Sequence, residues 1–510
     1  MSRPLLERIR GHAARDGRRV ALESAGEGVT YEALPGRIEF LAGALAAGRE
    51  AGDGGRIGLF ADNGLGWALS DLAAGAAGLA VIPLPTFFSD PQLCHSVQAA
   101  GVRRIVTDRV ERLGRALPLR RVRGLAGSAG LWEVEVERAA GRHDGPALPA
   151  GTAKISFTSG TTGTPKGVCL AAGALQRVVA ALAEASAACH TDRHLCVLPL
   201  ATLLENLAGL QVPLWAGATC CLAAPAAVGL AGSQGFDPAR CLAALVEARA
   251  STTILVPQML AALLGALANG PRPAELRYVA VGGAPLPRAL LDRAAELGLP
   301  VYQGYGLTEC ASVVAVNRPE ANRPGSVGRP LPHLRVEIAP DGEILLHGVV
   351  RSPYLGDPEP AAEGPFATGD LGYLDAAGHL YVTGRKKDLF ITAFGRNVAP
   401  AWVEGELMLH APPILQAAVF GEGRPFNVAV IFAAPGSPRE RVDRALALAN
   451  ARLPDYARVQ RWIAAREPFS VTNGLATGNG RPRREAIAEA YAAELLDCFD
   501  KETHGSLRFA

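Results

Sequence analysis

The chain has 510 residues, 49% apolar and 20% charged, with a formal net charge of +2. That length exceeds one ordinary core, so two or more domains are expected, and the composition excludes an intrinsically disordered chain. The near-neutral balance gives no basic field for nucleic acid, and no apolar run approaches the roughly 20 residues of a membrane span.

The first ten residues, with Arg3, Glu7, Arg8 and Arg10, lack the apolar centre of a secretion signal. A reducing cytoplasm is the expected setting. The nine cysteines are scattered without zinc or redox spacing and read as small buried thiols. Only five of the 51 basic residues are lysine (Lys154, Lys166, Lys386, Lys387 and Lys501). Arginine is therefore expected at some positions where a functional lysine is usual.

Taken in chain order, Arg56 to Phe60 predicts a strand and Leu65 to Leu79 an alanine-rich helix with Trp67 and Leu72 inward. Ala80 to Ile82 predicts a second strand, stopped by Pro83 and Pro85. Ile155-Ser156-Phe157 is a short apolar piece that feeds a glycine-rich run, Thr158-Ser159-Gly160-Thr161-Thr162-Gly163-Thr164-Pro165-Lys166-Gly167-Val168. Asp237-Pro238 marks a helix start, with Leu242, Leu245 and Val246 as its apolar face. Thr253 to Val256 and Tyr278 to Val281 are further strands, the second ending in the turn Gly282-Gly283-Ala284-Pro285. Such alternation argues for parallel sheets covered by helices. From about Arg323 the texture changes to short strands with Asp-Gly and Gly turns, predicting a small antiparallel or barrel-like subdomain over 323–386. After Asp388 a helix from Trp402, strands at Gln416 to Phe420 and Val428 to Phe432, and a helix from Pro438 predict a small α+β domain. The expected division is 1–386 and 387–510.

The glycine-rich run carries the clearest chemistry. Glycines let the backbone approach an oxyanion closely, amides and hydroxyls donate to it, and Lys166 adds a mobile charge. It is not the common P-loop, because Lys166 is followed by Gly167 rather than Ser or Thr. The run resembles the phosphate loop of the adenylate-forming superfamily of acyl-CoA synthetases, adenylation domains and luciferases. Three later motifs strengthen the resemblance by their order: Tyr305-Gly306-Leu307-Thr308-Glu309, Thr368-Gly369-Asp370 and Gly384-Arg385-Lys386-Lys387-Asp388.

The resemblance implies an α/β fold with a mobile C-terminal domain, and a two-step reaction. A carboxylate attacks the α-phosphate of ATP, and a thiol of CoA or of a carrier protein's phosphopantetheine then captures the acyl adenylate. Thr158, Ser159, Gly160, Thr161, Thr162, Gly163 and Lys166 would meet the phosphates. Thr161 and Glu309 would hold Mg²⁺, which takes hard oxygen ligands. Gly283, Ala284, Pro285, Tyr305, Gly306 and Thr308 would surround the adenine. Asp370 would accept the ribose hydroxyls, since an ionised carboxylate offers two acceptor oxygens, and Arg385 would add a further contact. Lys387 would be the hinge.

Two departures stand out. Leu198-Pro199-Leu200-Ala201-Thr202 puts Thr202 where the family places a histidine at the acid pocket, with Glu205 following as in some long-chain enzymes. Asn479-Gly480-Arg481 puts Arg481 where the catalytic lysine is usual. Arginine keeps the charge and can bridge two oxyanions, but it is planar and bulkier. Residues 80–89, 255–260 and 301–304 carry few charges, which suits a fatty or aryl acid. Tyr302-Gln303-Gly304-Tyr305 resembles long-chain enzymes, with Gly304 opening a tunnel. The expectation is a fatty acyl-CoA synthetase using ATP, Mg²⁺ and CoA. Rival readings are a carrier-protein or aryl-acid ligase, or a non-catalytic homologue.

Overall fold

The computed structural model describes residues 3–48, 54–128, 130–137, 145–158, 165–231, 235–268, 270–348, 352–357, 364–408, 413–470, 472–477 and 480–500. Two large sheets dominate the N-terminal region. In the first, seven strands run in the order Leu119–Gly124, Trp132–Val136, Arg104–Thr107, Arg56–Phe60, Ala80–Pro83, Thr152–Thr158 and Lys166–Ala171. Its four central strands pair parallel and its flanking pairs antiparallel.

The second sheet has nine strands. Its middle runs Val301–Leu307, Tyr278–Val281, Thr252–Leu255, Arg193–Cys196, Thr219–Leu222 and Val20–Ser24, all parallel. Antiparallel strands close both edges, with Ser312–Val316 and Arg329–Pro330 at one and Glu27–Thr30 at the other. The expectation of parallel sheets thus holds for the centres only. Hairpins at the edges join strands through short turns, which parallel neighbours cannot use.

Helices Leu34–Ala47 and Leu65–Ala76 lie in one core with strands of both sheets, where Trp67, Leu72, Leu41 and Leu22 are each 1% exposed or less. The second helix stops at Ala76, short of the predicted Leu79, because Gly78 adopts a positive φ of 71°. Helix Pro238–Glu247 begins as predicted. The Asp237 side chain accepts from the amides of Ala239 and Arg240, and Pro238 sets the first turn.

Beyond these sheets, Arg335–Ile338, Glu343–His347, Phe366–Leu374 and Leu380–Arg385 form a four-stranded antiparallel sheet rather than a barrel. The C-terminal unit has a three-stranded sheet of Ile414–Phe420, Asn427–Ala433 and Val459–Ala464, flanked by helices Pro400–Met408, Arg439–Asn450 and Ala492–Asp500. Its two cores are built separately from the N-terminal ones. Segment 480–481 returns from this unit to the N-terminal region, where Gln258 Nε2 donates to the Gly480 carbonyl at 3.5 Å.

Candidate active site

Strand Thr152–Thr158 leads into the glycine-rich run, whose residues 159–164 (Ser159, Gly160, Thr161, Thr162 and Gly163 among the expected contacts) lie outside the described residues. On either side, Thr158 pairs with Lys166 across the hairpin, so the run leaves and returns at one point. Segment Ser352–Asp357 covers this base. The Cys169 amide donates to Pro353 O at 2.9 Å and the Leu355 amide to Gly167 O at 2.8 Å. Tyr354, which the sequence reading missed, then joins two motifs. Its hydroxyl donates to Glu309 Oε1 at 2.7 Å, and Lys166 Nζ stands 5.6 Å from its ring centroid.

Glu309 sits in a 3₁₀ turn, Thr308–Cys310, at the end of strand Val301–Leu307. The turn is tight. Ala311 and Ser312 both have positive φ, at 59° and 97°, a strained backbone for residues other than glycine. Gly306 is required here, because a Cβ on it would lie 1.7 Å from Ser312 O. As a magnesium ligand Glu309 fits: it offers hard carboxylate oxygens, and Tyr354 fixes only Oε1.

Asp370 is 4% exposed and its carboxylate faces two other expected residues. Tyr305 Oη donates to Oδ2 at 2.6 Å, and Arg385 Nε pairs with Oδ1 at 2.9 Å from the opposite register position. Burial, followed by the Asp370 charge, pushes the Tyr305 phenol well up, so it remains a donor. A carboxylate has about four lone-pair positions, so Asp370 can hold these partners and still accept hydroxyls. The Tyr305 hydroxyl is therefore an anchor for Asp370, a role the sequence reading did not give it. Gly369, at φ 71°, donates its amide to Glu343 Oε1 at 2.9 Å.

Glu343 also reaches the expected hinge. Lys386 Nζ lies 2.7 Å from Glu343 Oε2 and 2.6 Å from Asp341 Oδ2, tying Lys386 to the four-stranded sheet. On the far side, Asp388 Oδ2 is 3.9 Å from Arg484 of the C-terminal unit, and Arg484 in turn clasps the buried Glu404. Lys387 between them is exposed.

Arg481 comes to the same place from the C-terminal unit. Its Nη2 donates to Gly283 O at 2.7 Å, within the loop Gly283-Ala284-Pro285, and its Nε is buried without a hydrogen-bond partner. Burial, followed by the nearby Arg385 charge, lowers its pKa, while Asp370, Asp388 and Tyr305 oppose that shift. Arg481 thus lies within electrostatic reach of Asp370, Tyr305 and Arg385, and among the described residues most of its five donors are uncommitted.

Two expected residues are placed less tellingly. Thr202 Oγ1 donates to Pro199 O at 2.7 Å, capping its own turn. A Cβ on Gly304 would meet Ala315 O at 3.3 Å and Val316 Cγ2 at 3.4 Å, so close strand packing already explains this glycine. Glu205, by contrast, is wholly buried against His194 at 3.2 Å.

Among the described residues, Tyr305, Asp370 and Arg385 of three predicted motifs are joined directly, and Arg481 reaches the Gly283 loop from the C-terminal unit. The AMP-binding enzyme family matches residues 9–350, and the AMP-binding enzyme C-terminal domain matches residues 387–503. The chain belongs to the AMP-binding, adenylate-forming enzymes. Among curated relatives it is 33% identical over 255 residues to the long-chain-fatty-acid–CoA ligase FadD15 of Mycobacterium bovis, covering 44% of this chain and 42% of that protein. It spans less than half the length of that relative. It is 32% identical over 469 residues to a feruloyl-CoA synthase of Amycolatopsis sp., covering 86% of this chain and 90% of that one. Among solved structures, the amide bond synthetase McbA of Marinactinospora thermotolerans superposes with a TM-score of 0.75 at 27% identity, covering 96% of this AMP-binding enzyme and all of that chain (100%).

Proposed function

We propose that this AMP-binding enzyme is an ATP-dependent ligase that activates an apolar carboxylic acid as its adenylate and passes the acyl group to the thiol of CoA. The observation that carries the reading is Arg481, seated on Gly283 O within electrostatic reach of Asp370 and Tyr305, most of its donors being uncommitted among the described residues. A guanidinium there can bridge an incoming carboxylate and the α-phosphate, two anions that repel until a cation lies between them. Asp370 holds the ribose from the buried side, with Tyr305 and Arg385 fixing its orientation. Mg²⁺ would be held by Glu309 and the loop hydroxyl of Thr161, and would neutralise phosphate charge. Lys387 is the pivot, between Lys386 tied to one unit and Asp388 facing the other.

A fatty acid is the favoured substrate, because the strands around Gly304 and Leu255 present no charged side chain to pair with a polar acid. A second reading, an aryl acid, is supported by the alignment with a feruloyl-CoA synthase over nearly its whole length. ATP–pyrophosphate exchange with fatty and hydroxycinnamic acids, followed by thioester formation with CoA, tests both. Exchange with neither class refutes the ligase reading. Exchange without thioester formation refutes CoA as acceptor and directs the assay to phosphopantetheinyl carrier proteins and amines.

A further inference from the structure

Away from the nucleotide seam, three chemistry-bearing side chains meet in the core beneath the turn at Thr202. His194 and Cys196 stand two apart on strand Arg193–Cys196, hence on one face. Glu205 opens the π-helical turn Glu205–Gln211 that packs on this strand. One donor atom from each lies within 4.8 Å of the other two. The three are 3%, 0% and 0% exposed. His194 Nε2 is 3.2 Å from Glu205 Oε1, while His194 Nδ1 is 2.9 Å from Thr252 Oγ1. The Glu205 carboxyl is wholly buried, with His194, Cys196 and the Leu198 backbone amide as its polar neighbours. From the next strand, Cys220 brings its sulfur to 3.5 Å from Cys196 Sγ. Gly209 keeps the space clear, since a Cβ there would lie 2.4 Å from Glu205 Oε1 and 2.9 Å from His194 Nε2.

We propose that His194 Nε2, Cys196 Sγ and a Glu205 carboxylate oxygen bind a Zn²⁺ ion. Zinc takes nitrogen, sulfur and oxygen donors tetrahedrally at about 2.0–2.3 Å, which places neighbouring donors about 3.3–3.8 Å apart. The His194–Glu205 separation of 3.2 Å is close to that spacing, and all three donor atoms lie within 4.8 Å of one another. Charge also balances: one thiolate and one carboxylate neutralise the dication, and the imidazole is neutral, so no net charge is buried. Thr252 accepting from Nδ1–H leaves the Nε2 lone pair for the metal, as outer partners of zinc histidines commonly do. Binding requires Cys196 and Glu205 to be ionised, any proton they carry passing to solvent, and no oxidant or reductant is needed. Because no donor is accessible, the ion enters as the sheet folds. It would pin the π-helical turn to the strand and thereby fix the loop that carries Thr202.

The full chain, expressed with zinc and purified without a histidine tag or chelator, is assayed for metal content. The expected result is about one zinc per chain, retained on dialysis. Cys196→Ser and the near-isosteric Glu205→Gln should each lose it, whereas Cys94→Ser should not. Refolding with cobalt should give thiolate-to-cobalt charge-transfer absorption in the wild type and in Cys94→Ser. If Cys196→Ser does not fold, Glu205→Gln carries the comparison. Wild-type protein free of zinc and without that absorption, or equal zinc in Glu205→Gln and wild type, would overturn the proposal.

Discussion

Replacing Arg481 by alanine is the sharpest test of the nucleotide seam. Among the described residues the side chain makes one hydrogen bond, to Gly283 O, and its Nε is buried without a partner. Loss of that single interdomain bond costs about 0.5–1.5 kcal/mol, or up to about 3 because the donor is charged, which gives at most a modest fall in melting temperature. The catalytic loss is expected to be larger. A cation that meets the carboxylate and the α-phosphate only as they react acts like an oxyanion donor, whose removal costs about 10²–10³ in rate, or about 2.7–4 kcal/mol. Two assays separate these effects. Single-turnover adenylate formation should fall at least about 10²-fold. Thioester formation from supplied acyl adenylate should change little, because the bond order at phosphorus is already settled. Arg481→Lys should retain adenylation. Wild-type adenylation in Arg481→Ala would refute the reasoning, and Lys166 would become the next cation to examine. Equal loss in both half-reactions would instead assign Arg481 a docking role.

Asp370→Ala should weaken ATP binding by about 1–3 kcal/mol in calorimetry, since the ribose loses its acceptor and Tyr305 and Arg385 lose theirs; unchanged affinity in a folded variant contradicts the ribose assignment. Gly306→Ala must displace Ser312 O from a 1.7 Å approach, so a loss of about 1–3 kcal/mol or more in urea unfolding is expected, together with loss of nucleotide binding. Asp237→Ala removes the cap on the Ala239 and Arg240 amides and should cost about 1 kcal/mol with no change in activity. Gly304→Trp should reject long acids and spare short ones if the strand borders a tunnel, whereas equal loss at every chain length would mean that contact with Ala315 and Val316 is all this glycine serves.

The candidate motifs are legible in the sequence because they are local. A glycine-rich loop, a Thr-Gly-Asp turn and a basic hinge each depend on neighbours within a few residues, and the chemistry of phosphate and ribose dictates their residue types. Strand and helix starts were equally local: Asp237-Pro238 states its cap, and the β-branched run near Thr253 states its strand. The exact end of the helix after Leu65 was not, since Gly78 ends it through its own backbone conformation. Tyr354 gave a weaker signal. It lies far in sequence from both Lys166 and Glu309, and nothing around it announces that it will join them.

The sequence by itself determined the fold class and the order of the motifs, because periodicity and short-range chemistry carry that information, while the reading of Arg481 in place of a lysine rests on the resemblance to the family. Only the tertiary structure decided which side chains hold one another. It gave the Tyr305 hydroxyl to Asp370, joined Glu343 to both Gly369 and Lys386, and brought Arg481 onto Gly283 from 198 positions away. It also gathered His194, Cys196, Glu205 and Cys220 beneath one turn, where cysteine spacing had shown no pattern. The physical reason is that a carboxylate or a sulfur acts over a few ångströms of space. Which residues share those ångströms follows from parallel strand pairing and interdomain docking, whose partners lie tens to hundreds of residues apart in the chain.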